Sequence, residues 1–426
     1  MKPNSTNHSF EDPNIPRLSK QLNPSHPLCL LAELVEWEEL EEEFGSYYSE
    51  GNSRPPKPIR LMTGLLMLQH MSGFSDEQTV RHWVENPYWQ YFCGFDILQW
   101  KAPIDPSLMS HFRKRIGKVG MEKILEEVIK IAIQSGFVCT KDLSQVIVDT
   151  TVMEKNIAYP TDARLYFKMI EKLIKMARKT GIAYRQSYKR VTKHLLLEIG
   201  RHLHAKQIKR AKRKIKRLKT LLSRVYRDIR RKLQKREELK NLFQPLLVKA
   251  DKLLYSDPKS SQKIYSIHEN EVQCISKGKA RVRYEFGCKV SLVVTHKQGL
   301  ALSCQALSGH PYDGHTLKDA ITDAEQRSGH KIKRAVVDKG YVGHDASHLI
   351  VYKSGQKRGV KTHAIKRFIK RRQAIEPHIG HMKAQGKLDR CFLKGFLGDQ
   401  INSILCGVGH NLRLLFNFFQ KQQAFA

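Results

Sequence analysis

Glu376 is the residue whose surroundings most need a chemical explanation. Residues 346–388 carry eleven Lys/Arg and this single acid. A solvated basic helix accepts many acids, because opposite charges at i,i+4 spacing support it. A lone carboxylate among cations therefore reads in two ways. It is an incidental Glu stabilised by Arg372, or a metal-ligand carboxylate set in a phosphate-binding surface. Two further acids share its kind of position. Asp149 follows the apolar run 144–148 and Asp338 follows 334–337, so each is expected to end a short buried strand and face a cleft. For Asp149, capping of the following turn is the structural alternative. Together, Asp149, Asp338 and Glu376 are what two-metal phosphoryl transfer requires. Their oxygens would hold two Mg2+ (or Mn2+) ions about 3.5–4 Å apart, one activating the attacking oxygen and one stabilising the leaving oxygen.

Such a set needs a sheet and a helix to carry it. Residues 284–295 and 300–307 read as a hairpin across Lys297-Gln298-Gly299. Residues 313–327 read as a helix, and 369–384 as mostly helical, with Pro377 kinking or restarting it. An apolar helix spans 403–419. Between the first strand and the hairpin, 161–256 has almost no strand signal. There Ile208, Ala211, Ile215, Leu218, Leu222, Val225 and Ile229 step by three and four, the a/d spacing of a coiled coil. The other faces are Lys and Arg, including Lys209, Arg210 and Arg213. We expect a helical hairpin, with 165–176 as partner, that clamps DNA backbone without reading sequence.

The N-terminal third reads as short helices broken by tight turns. Residues 1–26 are polar, lack a signal-peptide apolar core and read as a flexible leader. From Pro27, Leu30, Leu34, Trp37, Leu40 and Phe44 recur at helical spacing among seven Glu, an acidic amphipathic helix suited to docking on a basic face of this chain or a partner subunit. A Pro-rich segment at 54–58 ends that unit. Ser75 to Gln78 resembles a capping box, Asn86-Pro87 restarts a helix, and Asp105-Pro106-Ser107 opens 108–116. That last helix should expose His111, Arg113, Lys114 and Arg115. The set suits a helix-turn-helix-like DNA reader, with a plain helical subdomain as the other reading.

Composition points the same way. The net charge of +34 at pH 7 exceeds what solubility needs, so a polyanion, nucleic acid first, is the expected partner. No long apolar run or lipidation motif suggests a membrane. Eight scattered cysteines without a CxxC pair fit reduced thiols in a cytosol.

The sequence resembles the DDE transposases of bacterial insertion sequences from about Pro27 onward. Arg372, Glu376 and Lys383 match the R-x3-E-x6-K part of the family's Y-R-E-K motif. Asp338-Lys-Gly-Tyr341 matches its D-x-G-Tyr/Phe motif, and Asp149-Thr-Thr its first-Asp motif. Residues 159–162 and 312–316 also look like stretches common in the group. The motif's Tyr falls on Ile369, so that auxiliary contact is absent or supplied elsewhere.

The resemblance implies an α+β or α/β protein. Its RNase H-like mixed sheet with flanking helices (141–160 and 259–426) would be split by an all-helical insertion (161–258) and preceded by a helical DNA-binding domain (27–140). It implies metal binding by Asp149, Asp338 and Glu376, and DNA contacts by Arg372, Lys383 and Tyr341. The implied reaction is nicking at the element's terminal inverted repeats, then attack of the freed 3′-hydroxyl on double-stranded target DNA, by a homodimer on the bacterial nucleoid in the cytoplasm. Rival readings are a nuclease without strand transfer and a non-catalytic architectural protein. Weaker candidates are His378 and His381 as a transition-metal pair, Asp313 and His315 at the site's edge, and Tyr159 and Asp162 as substrate contacts or helix caps.

Overall fold

The computed structural model describes residues 16–48, 56–255, 257, 260, 263–276, 283–360 and 362–425. Most of the expected leader, and residues 54–55 of the Pro-rich segment, lie outside them. The N-terminal elements are α1 (Leu18–Gln21), α2 (Pro27–Leu34), α3 (Trp37–Gly45), α4 (Ile59–Ser72), α5 (Asp76–Glu85), α6 (Pro87–Phe92), α7 (Ser107–Gln134) and α8 (Thr140–Leu143). After β1 (Gln145–Lys155) come α9 (Asp162–Lys179), α10 (Lys189–His204), α11 (Ile208–Leu233) and α12 (Glu237–Tyr255). There follow β2 (Gln273–Ser276), β3 (Tyr284–Thr295), β4 (Ala301–Leu307), α13 (Leu317–Ser328), β5 (Arg334–Val337) and β6 (Ile350–Lys353). The chain closes with α14 (His363–Lys370), α15 (Ile375–Gly386), β7 (Arg390–Cys391) and α16 (Gly395–Phe425). Two compact units result, one of residues 1–154 with 288–426, the other of 155–287.

Local chemistry sets the N-terminal boundaries. Ser75 and Gln78 close a reciprocal capping box on α5, and the Asn86 side chain caps α6 just ahead of Pro87. The acidic stretch forms two helices, not one. Between α2 and α3 the Glu36 N–H donates to Glu127 at 2.7 Å, and Lys130 of α7 pairs with Glu39 at 2.6 Å. The acidic face thus docks partly on its own unit. The expected helix over 108–116 and the helical stretch that follows it form α7, divided by a kink at Gly117, whose φ of 61° is unfavourable for other residues.

The larger unit's sheet is mixed. β1 pairs in parallel with β5, β5 in parallel with β6, β3 lies beside β1, and β4 pairs antiparallel with β3. Alternation along the strands separates two cores. Val146, Val148 and Val293 pack with the N-terminal helices, α13 and α16; Ile147, Met153, Val290, Leu292 and Val294 pack with Ile375 and Met382 of α15. β1 does not end at Asp149, as expected; it continues to Lys155. Thr151, Val152 and Met153 are buried and β-prone, and the Glu154 N–H donates to the Asp389 carbonyl beside β7.

Helix α16 crosses this unit with residues 401–412 all buried. Asn411 brackets β4 by exchanging two 2.8 Å bonds with the Ala301 backbone. Gly409 lets α16 approach α4 closely, for a Cβ there would lie 2.2 Å from the His70 carbonyl oxygen. Gly409→Ala is expected to destabilise by about 1–3 kcal/mol or more, as overpacking does; unfolding in denaturant measures it.

His70 and His410 are fully buried, and burial pushes both down to about 3. In the unfolded chain they protonate near an ordinary value of about 6.5. Between those limits the unfolded state binds more protons, so stability is lost as pH falls from 6.5 toward 3, by about 1.4 kcal/mol per pH unit for each. Thermal unfolding at pH 6, 5 and 4 should show this slope, and His410→Gln, which can still donate to the Gly299 carbonyl, should flatten it.

In the smaller unit α9–α12 bury one apolar cluster. Thr161 caps α9. The α11 seam is wider than an a/d stripe, since Leu221, Tyr226 and Leu233 are also buried while Ile208 is exposed. The reason is that α11 packs on α9, α10 and α12 together, not on one hairpin partner. β2 pairs with residues 284–287 of β3, and buried Lys155 lies 3.2 Å from both Glu269 and Glu271.

Candidate active site

The sheet register brings the first two acids together. Ile147 pairs with Val336, so two residues further along Asp149 comes level with Asp338, just past the end of β5. Alternation puts Asp149 on the face of Ile147 and Met153, which α15 covers. Glu376 stands in the first turn of α15, with Pro377 at a position where proline costs no helix hydrogen bond. The 3-10 turn Arg371–Ala374 precedes it, fixed to the β3–β4 turn by the Arg371 guanidinium, which donates to the His296 carbonyl at 2.7 Å. The His296 ring stacks on Phe368 at 4.1 Å.

Arg372 is the hub. Its Nη2 lies 2.8 Å from Asp149 Oδ2 and 3.9 Å from Asp338 Oδ2, and its Nη1 lies 3.0 Å from Glu376 Oε1. The side chain is 13% exposed, while Asp338 and Glu376 are far more open. Three sequence-distant carboxylates thus converge on one cation, an all-oxygen donor set that suits Mg2+ or Mn2+. Arg372, expected to face DNA, here bridges the acids. Lys383 lies seven residues after Glu376, on the same face of α15 and partly exposed. Ile369, at the motif's Tyr position, is buried.

A second layer lies against the opposite face of β1. The Thr150 hydroxyl donates to Asp313 Oδ1 at 2.9 Å, and Lys289 Nζ donates to the same oxygen at 2.9 Å and to the Pro311 carbonyl at 2.8 Å. The sequence singled out Asp313 but not Thr150 or Lys289. A lysine inside an apolar strand was the signal that marked this layer. His315 faces the Tyr312 ring at 5.5 Å.

Several expectations change. Tyr341 is buried, not a surface DNA contact, because the 3-10 turn after Asp338 directs it inward; burial, with Asp313, Asp149 and Asp338 nearby, pushes its hydroxyl well above the ordinary value. Arg113 is also buried. Its guanidinium bonds Asp76 at 3.0 Å and Gln69 at 3.2 Å, so it ties α7 to α4 and α5 and is not exposed. Arg115 is exposed, with its guanidinium 4.3 Å over the Tyr48 ring. Lys209, Arg210 and Arg213 are exposed on α11. His378 is turned toward Gly299 and His410, its ring 5.2 Å from the latter. Tyr159 stands 5.2 Å from Phe286 within the smaller unit, and Asp162 lies in the first turn of α9.

Another acidic set, Glu36, Glu39 and Glu127, brings its oxygens within 4.8 Å of one another, but Lys130 already pairs with all three. Among the described residues the acids around Arg372 do not close to that distance; the guanidinium stands between them. No helix among the described residues is long and apolar enough to cross a membrane.

Comparison with known proteins gives the site its context. Residues 16–115 match the family model described as Transposase domain (DUF772), and residues 258–412 match that of the Transposase DDE domain, which implies an RNase H-like core. The latter match contains Asp338 and Glu376 but not Asp149, whose place rests on the geometry above. An uncharacterized Rhizobium meliloti protein, ORF8 in the nfe locus, is 44% identical over 207 residues, 49% of this chain and 100% of that protein. No solved structure matches the chain. Acids gathered by a mixed sheet, within a chain matched by two transposase models, place this protein among the DDE transposases of insertion sequences.

Proposed function

We propose that this transposase binds the terminal inverted repeats of its own element, nicks their 3′ ends and joins them to target DNA, acting as a homodimer that brings both ends together. The convergence of Asp149, Asp338 and Glu376 on Arg372 supports this reading most directly. The three acids would hold two divalent cations, Mg2+ or Mn2+. When bound, such ions neutralise charge on the attacking and leaving oxygens. Arg372 and Lys383 orient the scissile phosphate. In the first step water attacks phosphorus and the bond to the 3′ oxygen breaks; in the second that 3′-hydroxyl attacks a target phosphodiester, whose own bond to its 3′ oxygen breaks and leaves a free 3′-hydroxyl on the target strand. The exposed basic face of α11, with Lys209, Arg210 and Arg213, tracks DNA backbone, and Arg115 adds a cation on the N-terminal helices.

The direct test is cleavage of DNA carrying the element's own ends, with Mg2+ or Mn2+, by wild type and Glu376→Ala. Metal-dependent nicking lost in the variant supports the assignment. Tight DNA binding with no nicking by wild type would favour an architectural protein, and nicking without joined product a nuclease. For the clamp, Lys209→Glu with Arg213→Glu should weaken DNA binding and lower the salt slope by about 0.9 for each phosphate no longer neutralised. An unchanged slope would remove α11 from the interface.

A further inference from the structure

We propose that Asp313, anchored by Lys289, is a positioning residue that sets the orientation of Asp149 through Thr150. The inference rests on the reading of Asp149 as a metal ligand.

β1 is gripped on both faces at consecutive residues. On one face Arg372 reaches Asp149; on the other, Asp313 accepts from the Thr150 hydroxyl. Successive strand side chains point to opposite faces, so a bond fixing Thr150 also fixes the rotation of β1 at Asp149. Lys289 is 10% exposed on its side chain, an unusual setting for an ammonium, and Asp313 Oδ1 and the Pro311 carbonyl both accept from it. That pair makes Asp313 a fixed anchor, not a mobile surface acid.

The same turn also borders the second acid. Tyr312 donates to the Val342 carbonyl at 2.9 Å, just beyond Asp338–Tyr341. A Cβ on Gly340 would lie 3.4 Å from Asp313 Oδ2. The buried Tyr341 hydroxyl has no hydrogen-bond partner among the described residues, and Asp313, Asp149 and Asp338 are charged groups near it. Residues 312–316 therefore link the strand carrying Asp149, the neighbouring strand β3 and the loop carrying Asp338. Groups that orient metal-binding side chains from behind commonly change metal affinity about 10–100-fold when removed.

The test is Mn2+ titration of the full-length protein followed by thermal unfolding, with no DNA present. In wild type, Mn2+ should raise the unfolding temperature, and Asp149→Ala should abolish the rise. Asp313→Ala and Thr150→Val should each move the Mn2+ midpoint about tenfold upward. The double variant should be no worse than either, because both break one linkage. Thr150→Ser, which keeps the hydroxyl, should restore the wild-type midpoint, and DNA binding by the two Thr150 variants without metal should be unchanged. Thr150→Val, close to isosteric, keeps the test decisive if Asp313→Ala fails to fold. A wild-type response that Thr150→Val leaves unmoved would overturn the positioning role alone. The absence of any Mn2+ response in wild type would overturn the metal reading of the acids and this inference with it.

Discussion

Asp338→Asn is expected to abolish end cleavage while leaving DNA binding intact or tighter. Asp338 stands past the end of β5 with about half of its side chain exposed, and the Arg372 guanidinium lies 3.9 Å from it. It is the least neutralised of the acids paired with that guanidinium, so an incoming phosphate meets its charge unless a divalent cation intervenes. The amide keeps the shape and removes the charge. Cleavage should fall roughly a thousandfold, equivalent to about 4 kcal/mol of barrier. In metal-free buffer, affinity for end DNA should hold or rise, because one repulsive charge facing the phosphates has gone. Asp149→Asn should lose cleavage to the same degree but cost stability as well, since its partnership with Arg372 is largely shielded from water and leaves a buried cation behind. Cleavage and binding assays run in parallel, with a melting curve for each variant, separate these outcomes. Cleavage by Asp338→Asn within tenfold of wild type would remove Asp338 from the metal set.

What the sequence disclosed depended on how local each determinant is. The strand before Asp338 was readable because four residues carry the signal and a Gly-containing turn ends it. The end of β1 was not. Asp149-Thr150-Thr151 looks like a turn, yet the strand continues because β7, far along the chain, lies beside its second half. Arg113 presents the same difficulty. Its helix reads as a basic face, and only the fold brings Asp76 and Gln69 to it. The apolar seam of α11 was visible at three-and-four spacing, but the number of helices sharing it is a tertiary fact. The three acids could be picked out from their position types and the family motif. That Arg372 would join them, and that Thr150, Lys289 and Asp313 would back them, required the sheet register.

Arg372 carries the second large expectation, and it runs in two directions at once. In the structure its guanidinium supplies the positive charge at the centre of the three acids. Any divalent cation entering that set competes with it for the same oxygens. Arg372→Met keeps much of the stem's packing and removes the competitor, so the three carboxylates repel one another and bind Mn2+ more tightly. A midpoint lower by about tenfold is expected, about 1.4 kcal/mol. Yet cleavage should fall about a hundredfold or more, because a cation fixed beside the transferring phosphoryl group is lost. Tighter metal with slower chemistry is a combination that simple unfolding cannot produce, since unfolding weakens both. Arg372→Lys should recover part of the neutralisation but not the fork that reaches Asp149 and Glu376 together, leaving cleavage between the two. The reading of Arg372 as a bridge that yields to metal predicts that DNA and Mn2+ together shift it from the acids to the phosphate. Were Arg372→Met to weaken Mn2+ binding instead, the guanidinium would be an organiser of the acids that stays in place when the ions arrive.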